Sequence, residues 1–214
     1  MKRITRKQSL PARAFANTLI NKIRIALKDK YRFDVRLVGS AKWNTIIKTK
    51  DELWDVDYQI LLSNKSKQYK DNKFDNPTKI KEDFFNCFNV LFSKKNGFEV
   101  HNSTTAITII NNNSGYSFDF VIIKDGNQII RRNNNDGSGK NIYTWNTLSK
   151  YNPIYETFKK MTPKEKQDLI ENHILPRKEK EKRKFDNNPT KKSSYVIFIE
   201  EVSSYVIRKR NNKL

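Results

Sequence analysis

Cysteine is almost missing. Cys87 is the only one, and beside it stand just two histidines, His101 and His173, so neither a disulfide framework nor a structural zinc site is expected. Long apolar runs are missing too. Val121 to Ile123 and Val196 to Ile199 are only a few residues long, far below the roughly 18 that span a membrane. The N-terminus, MKRITRKQSLPARAFA, is basic but lacks the apolar stretch of a secretory signal. A reduced, cytoplasmic setting without a membrane partner is the expectation. Acid is scarce: 23 Asp and Glu face 43 Lys and Arg, a net charge of +20. With 36% hydrophobic and 12% aromatic residues the chain can still bury a core, and 214 residues allow one domain or one domain with a substantial appendage.

The positive charge sits at the two ends. Residues 1–36 carry eleven basic and two acidic side chains and residues 159–214 carry sixteen and eight, whereas the centre, 37–158, nets only +3. A near-neutral centre between basic flanks suggests central chemistry, with flanks that meet an anionic partner such as nucleic acid. A genome biased towards A·T codons would enrich Lys and Asn equally well, and that reading stays open.

Phe15, Leu19, Ile23 and Leu27 recur at helical spacing, so 10–29 reads as an amphipathic helix whose other face carries Arg13, Lys22, Arg24 and Lys28. Phe33 to Val38 alternates as a strand and ends at Gly39-Ser40 in what looks like a tight turn. Asp55 to Leu62 is a second strand, with Val56, Tyr58 and Ile60 on one face and Asp55, Asp57 and Gln59 on the other. A polar loop over 63–77 precedes a helix marked by Ile80, Phe84, Phe85, Phe88 and Leu91. Strands follow at 98–101, 104–110 and 116–123, and Asp125-Gly126 predicts a hairpin that pairs 128–131 with the strand before it. After a loop at 133–141 the remainder reads as helical. Thr162-Pro163-Lys164-Glu165 is a capping box opening a helix that Pro176 ends or kinks, 187–192 is a linker, and Tyr195 to Val206 lines a last helix. This order implies an α+β fold, a mixed sheet with flanking helices followed by a helical C-terminal part.

The feature that carries chemistry is a Gly-Ser turn, fourteen intervening residues, then Asp55-Val56-Asp57, with a third carboxylate at Asp119 inside Tyr116-Ser117-Phe118-Asp119-Phe120. Alternation puts Asp55 and Asp57 on one face, about 7 Å apart along the strand. Two such carboxylates repel unless a cation lies between them, and hard oxygen donors suit Mg²⁺. Asp119 stands in an apolar strand, where an unpaired carboxylate is costly and a shared metal would remove the cost. The plain alternative for D-x-D is a solvated strand face.

This pattern resembles the nucleotidyltransferase superfamily that includes DNA polymerase beta. Within it, the pattern is most similar to the branch of oligoadenylate synthetases, cyclic GMP-AMP synthase and bacterial CD-NTase-like enzymes that make nucleotide second messengers. In that branch a long N-terminal helix precedes the first strand, as 10–29 does here; the third Asp is followed by an apolar run, a glycine-containing turn and a loop, here with Trp145 and Asn152-Pro153. The resemblance implies a catalytic domain over 1–155 that includes the N-terminal helix, and a small basic helical lobe over 156–214. It also implies a transferase that takes ATP or another nucleoside triphosphate and moves the nucleoside monophosphate to a hydroxyl, using two Mg²⁺ ions or Mn²⁺ in their place. Asp55, Asp57 and Asp119 would hold the metals and carry catalysis; Gly39 and Ser40 would cradle the triphosphate, with Thr45 and Trp145 as further nucleotide contacts. Nucleic acid is the implied activator or acceptor, and Arg13, Lys22, Arg24 and Lys28 its implied contact. Transfer onto RNA, a protein or a small molecule, and a nucleic-acid-binding module with a relict site, are the alternatives.

Other candidates are weaker. Gly137-Ser138-Gly139-Lys140 lacks the glycine at 134 and the Ser or Thr at 141 that a phosphate-binding P-loop needs. Cys87 reads as a small buried hydrophobe and His101 as a strand residue. If the basic helix face meets nucleic acid, reversing two of its four charges weakens binding and flattens its salt dependence, measurable by titration across a salt series.

Overall fold

A computed structural model describes residues 2–48, 53–63, 74–92, 95–133, 141–148, 153–184, 190 and 192–211. The expected loops at 63–77 and 133–141, with the run at 137–140, and the linker at 187–192 fall largely outside these residues. Packing groups the chain into two compact units: 6–43 with 51–149, and 1–5 with 44–50 and 150–214.

The first unit is a seven-stranded mixed sheet with two helices on one face. Helix α1 (Arg6–Ala26) buries Ala12, Ala16, Leu19, Ile20 and Ile23 along one stripe. It starts four residues before the sequence pattern predicts, taking Pro11 into its body, while Ser9 is buried and donates its hydroxyl to the Arg6 carbonyl. Strand β2 (Phe33–Leu37) leads into a short helix α2 (Gly39–Trp43), so Gly39-Ser40 opens a helical turn where a tight turn was expected. Strand β4 (Trp54–Leu62) alternates buried and open positions as its sequence predicts. Helix α3 (Pro77–Phe92) then buries Ile80, Phe84, Phe88 and Phe92 at four-residue intervals.

Strands β5 (Phe98–Asn102), β6 (Ala106–Asn111), β7 (Tyr116–Lys124), β8 (Gln128–Asn133) and β9 (Ile142–Thr147) complete the sheet in the order β2-β4-β7-β6-β5, with β8 on β7 and β9 on β8. Asp125 and Gly126 both adopt positive φ, 52° and 79°, which closes the β7–β8 hairpin as expected. Residues 142–147, read from sequence as a loop around Trp145, are instead a strand paired with β8. Among the described strands only β4 and β7 run parallel; the return from one to the other passes through α3 and the β5–β6 hairpin.

Aromatic packing fixes the helices on the sheet. Phe88 lies tilted 4.8 Å from Phe120, Phe84 meets Phe33 edge-on at 5.2 Å, and Phe15 of α1 stacks 6.0 Å from Phe118. These rings occupy the face of Val56, Tyr58 and Ile60, so the opposite face of β4 and β7 is left to the aspartates.

The second unit pairs β1 (Lys2–Ile4) antiparallel with β3 (Ile46–Lys48), two strands the sequence pattern does not signal, and adds helices α4 (Pro153–Lys160), α5 (Pro163–Asp168), α6 (Leu175–Lys182) and α7 (Ser194–Asn211). The capping box forms as expected: Glu165 N–H donates to Thr162 Oγ1, and Thr162 N–H to the Glu165 carboxylate. From there the helix runs on through a π-helical segment, 169–174, in which Leu175 N–H reaches back to the Ile170 carbonyl. Pro176 explains the wide turn, since it has no N–H and its ring crowds the preceding turn. Phe158, Leu169, Ile174, Ile197, Phe198 and Val202 form this unit's core, and Arg177 pairs with both Glu200 and Glu201. Among the described residues no helix is long and apolar enough to cross a membrane.

Phe84 is fully buried against Tyr31 and Phe33. Phe84→Ala should cost about 3–5 kcal/mol, read as a lower denaturant midpoint in the transition of the sheet unit.

Candidate active site

The open face of the sheet is organised by register. β4 and β7 pair so that Asp57 lies opposite Asp119 and Asp55 opposite Ser117. β6 adds Thr108 beside Asp119, and β5 adds His101 beside Thr108. One rung therefore reads His101, Thr108, Asp119, Asp57 across four strands, and the next reads Glu99, Ile110, Ser117, Asp55. Neighbouring strands lie about 4.8 Å apart, so the three aspartates that were distant in sequence share a small patch.

Each carboxylate is held by its surroundings. Ser117, 4% exposed, donates its hydroxyl to Asp55 Oδ1 at 2.7 Å, and Thr108 donates to Asp119 Oδ1 at 2.6 Å. Asp57 lies over the backbone of Gly39, and its own carbonyl accepts from Val38 N–H at 2.9 Å, carrying the β2–β4 ladder one step beyond β2. A Cβ on residue 39 would overlap the Asp57 carboxylate, 2.8 Å from its Cγ, and Gly39 has φ +62°. The glycine is thus demanded by the aspartate as well as by the backbone.

Burial raises the Asp119 carboxyl above the usual range and nearby Asp55 adds to the rise, against the opposing pull of the Thr108 hydrogen bond and Lys81. Lys81, fully buried on α3, donates to the Thr105 carbonyl at 2.7 Å; burial, reinforced by Arg132, pushes its amine down to about 7. Arg132 in turn donates to the Asn102 carbonyl, so two basic side chains hold the turn between β5 and β6, the hairpin that presents Thr108. Thr108, Ser117 and Lys81 were not singled out from sequence.

The remaining expected site residues are dispersed. Ser40 stands half-buried in the first turn of α2. Thr45 belongs to the helical unit, where it is 4% exposed and its carbonyl accepts from Lys178. Trp145 donates its indole N–H to the Phe74 carbonyl at 2.7 Å, and Lys124 lies over its ring. Arg13 is half-buried and donates to the Ala41 carbonyl at 2.5 Å, tying α1 to α2. Its Nε is buried without a hydrogen-bond partner. Lys22 is exposed nine residues further on, half a turn away around the helix. Arg24 and Lys28 do come together, lining an open cleft with Asp29, Arg32, Asp34 and Ser63 at the end of β4 away from the aspartates. His101, on β5, is exposed and pairs with Glu99 at 3.0 Å; Cys87 is half-buried.

Among the described residues no three carboxylates, imidazoles or thiols form a cluster able to hold a metal as they stand. The donor set still suits Mg²⁺: three hard carboxylates lie on adjoining rungs, and Asp55 and Asp119 each have only Oδ1 in a hydrogen bond among the described residues.

No protein-family model matches the sequence, and no curated protein does. Solved structures do. The DncV cyclic AMP-GMP synthase of Vibrio cholerae, in complex with the linear intermediate pppA(3′,5′)pG, superposes with a TM-score of 0.58 at 11% identity, over 80% of this chain and 45% of that one. DncV and the other matching structures are CD-NTases. The fold is that of a CD-NTase. DncV with GTP bound gives 0.58 at 12% identity over 86% and 48% of the two chains, and the Bradyrhizobium diazoefficiens CD-NTase CdnG in complex with GTP gives 0.51 at 11% over 73% and 43%. The chain spans about half the length of these CD-NTase structures.

Gly39→Ala should cost about 1–2 kcal/mol from the left-handed backbone alone. Because the new methyl also displaces Asp57, we expect a melting temperature lower by several degrees together with weaker divalent-ion binding, read by thermal melts with and without Mn²⁺.

Proposed function

We propose that this chain is a Mg²⁺-dependent nucleotidyltransferase that moves a nucleoside monophosphate from a nucleoside triphosphate to a hydroxyl acceptor, in the service of a nucleotide second messenger. The observation that carries the reading is the register of β4 on β7, which sets Asp57 beside Asp119 with Asp55 one rung away. The CD-NTase fold supports it, since among those neighbours DncV is a cyclic AMP-GMP synthase bound to its linear intermediate and CdnG is bound to GTP.

Asp55 and Asp57 would hold both Mg²⁺ ions and Asp119 the second. When bound, the ions supply charge neutralisation for the triphosphate and for the attacking and leaving oxygens. In the reaction the acceptor oxygen forms a bond to the α-phosphorus, the bond from that phosphorus to the bridging oxygen breaks, and pyrophosphate leaves with the electron pair. Asp119 is the side chain assigned to receive the hydroxyl proton. Gly39 and Ser40 approach the triphosphate through backbone and hydroxyl, Gly39 leaving the space that Asp57 fills. Burial of the opposite sheet face under α1 and α3 keeps the strands rigid, so the carboxylates are positioned before substrate arrives.

Incubation with each of the four labelled nucleoside triphosphates and Mg²⁺ or Mn²⁺, with and without nucleic acid, tests the reading. Wild type should release pyrophosphate, and Asp57→Asn should lower the rate at least about a hundredfold, the effect of several kcal/mol of lost charge stabilisation. Equal inactivity of both proteins with all four nucleotides would overturn the enzymatic reading and favour the relict, nucleic-acid-binding alternative.

A further inference from the structure

Ser117 occupies a position where sheet packing alone would not select a hydroxyl. Ser117 lies between Tyr116 and Phe118 in a strand whose other buried positions are aromatic or aliphatic, and is 4% exposed. A buried hydroxyl without a partner costs free energy, and serine adds little to a strand. Its partner is the Asp55 carboxylate, reached from the adjacent strand at the residue directly opposite. Thr108 repeats the arrangement on the other side of β7, donating across the β6–β7 pair to Asp119, also directly opposite. Both bonds run from a hydroxyl to an ionisable carboxylate at 2.6–2.7 Å, the short charge-assisted range.

The two bonds share a geometry. Each takes Oδ1, which restrains rotation of the carboxylate about its last torsion, and among the described residues no hydrogen bond takes Oδ2. Thr108 has a single proton, committed to Asp119; in its 3.4 Å contact with Ser103 Oγ, Ser103 is therefore the donor. A relay Ser103 to Thr108 to Asp119 results, with Thr108 itself oriented from the β5–β6 turn. Lys81 and Arg132, by binding the carbonyls of Thr105 and Asn102, fix that turn.

We propose that Ser117 and Thr108 are positioning residues of the divalent-metal centre, each pinning one oxygen of a ligand carboxylate so that the other is presented to the cation. The proposal rests on the reading of Asp55, Asp57 and Asp119 as metal ligands. Hydrogen bonds of this kind to metal-ligating groups are worth about 10- to 100-fold in metal affinity. Neither hydroxyl needs to touch the nucleotide.

Mn²⁺ binding to the full chain, followed by the EPR signal of the free ion without nucleotide, provides a readout independent of turnover. Wild type, Ser117→Ala, Thr108→Val, Thr108→Ser and Asp57→Asn are compared, with circular dichroism melts reporting the fold. Ser117→Ala and Thr108→Val should each weaken Mn²⁺ binding about 10- to 100-fold at nearly unchanged melting temperature, and Thr108→Ser should restore it. The two hydroxyls lie on different strands, so if one variant loses its fold the other decides. Affinity within about twofold of wild type in the folded hydroxyl variants, with binding abolished by Asp57→Asn, would overturn the positioning role and leave the metal site standing. Failure of wild type to bind Mn²⁺, or binding unaffected by Asp57→Asn, would overturn both.

Discussion

The parallel pairing of β4 with β7 is the constraint on which the rest depends. A strand has a side-chain period of two, so the residues opposite one another in this pair must agree on both faces at once. On one face the agreement joins Val56 to Phe118 and Tyr58 to Phe120, the centre of the aromatic core; on the other it joins Asp57 to Asp119. A slip of one residue would drive Asp119 into the rings of α1 and α3 and expose Phe118. The apolar packing that stabilises the sheet therefore also aligns the carboxylates, and no separate device is needed to bring Asp119 to Asp57 across 61 intervening residues.

Parallel strands need a long return, and here the return contributes to the site. It contains α3, which covers the aromatic face and supplies Lys81, and the β5–β6 hairpin, which supplies Thr108. Asp119, the carboxylate with the raised proton affinity, is largely buried between Thr108 of β6 and Asp57 of β4. Asp55, near the start of β4, is exposed. Burial thus differentiates carboxylates that sequence alone presents as equivalent.

The α+β class, the faces of β4, the Asp125-Gly126 hairpin and the Thr162 capping box could all be read from sequence because each is local: a period of two, a pair of turn residues, an S/T-x-x-E spacing. The motif aspartates were legible for the same reason. Their hydroxyl partners were not, because Ser117–Asp55 and Thr108–Asp119 are cross-strand pairs and depend on a register that no single segment encodes. β9 was missed because Ile142 to Thr147 is half polar and follows an Asn-rich stretch, so its strand character comes from pairing with β8. Gly39-Ser40 has turn chemistry, yet the next residues continue as α2. Arg13 was grouped with Lys22 by charge, although nine residues around a helix place them on opposite sides; its approach to Ala41 is a tertiary contact.

Gly39 carries a consequence beyond its own backbone. Its positive φ would disfavour most side chains, but the larger obstacle is the Asp57 carboxylate lying where a Cβ would go. The two positions consequently constrain each other. Were residue 57 a glycine, its overlap with a Cβ at 39 would vanish and the conformational cost would remain; an alanine at 57 would still leave its Cβ 3.1 Å away. A carboxylate at 57 therefore demands glycine at 39 twice over, once through space and once through the backbone, and losing the acid would relax only the first demand.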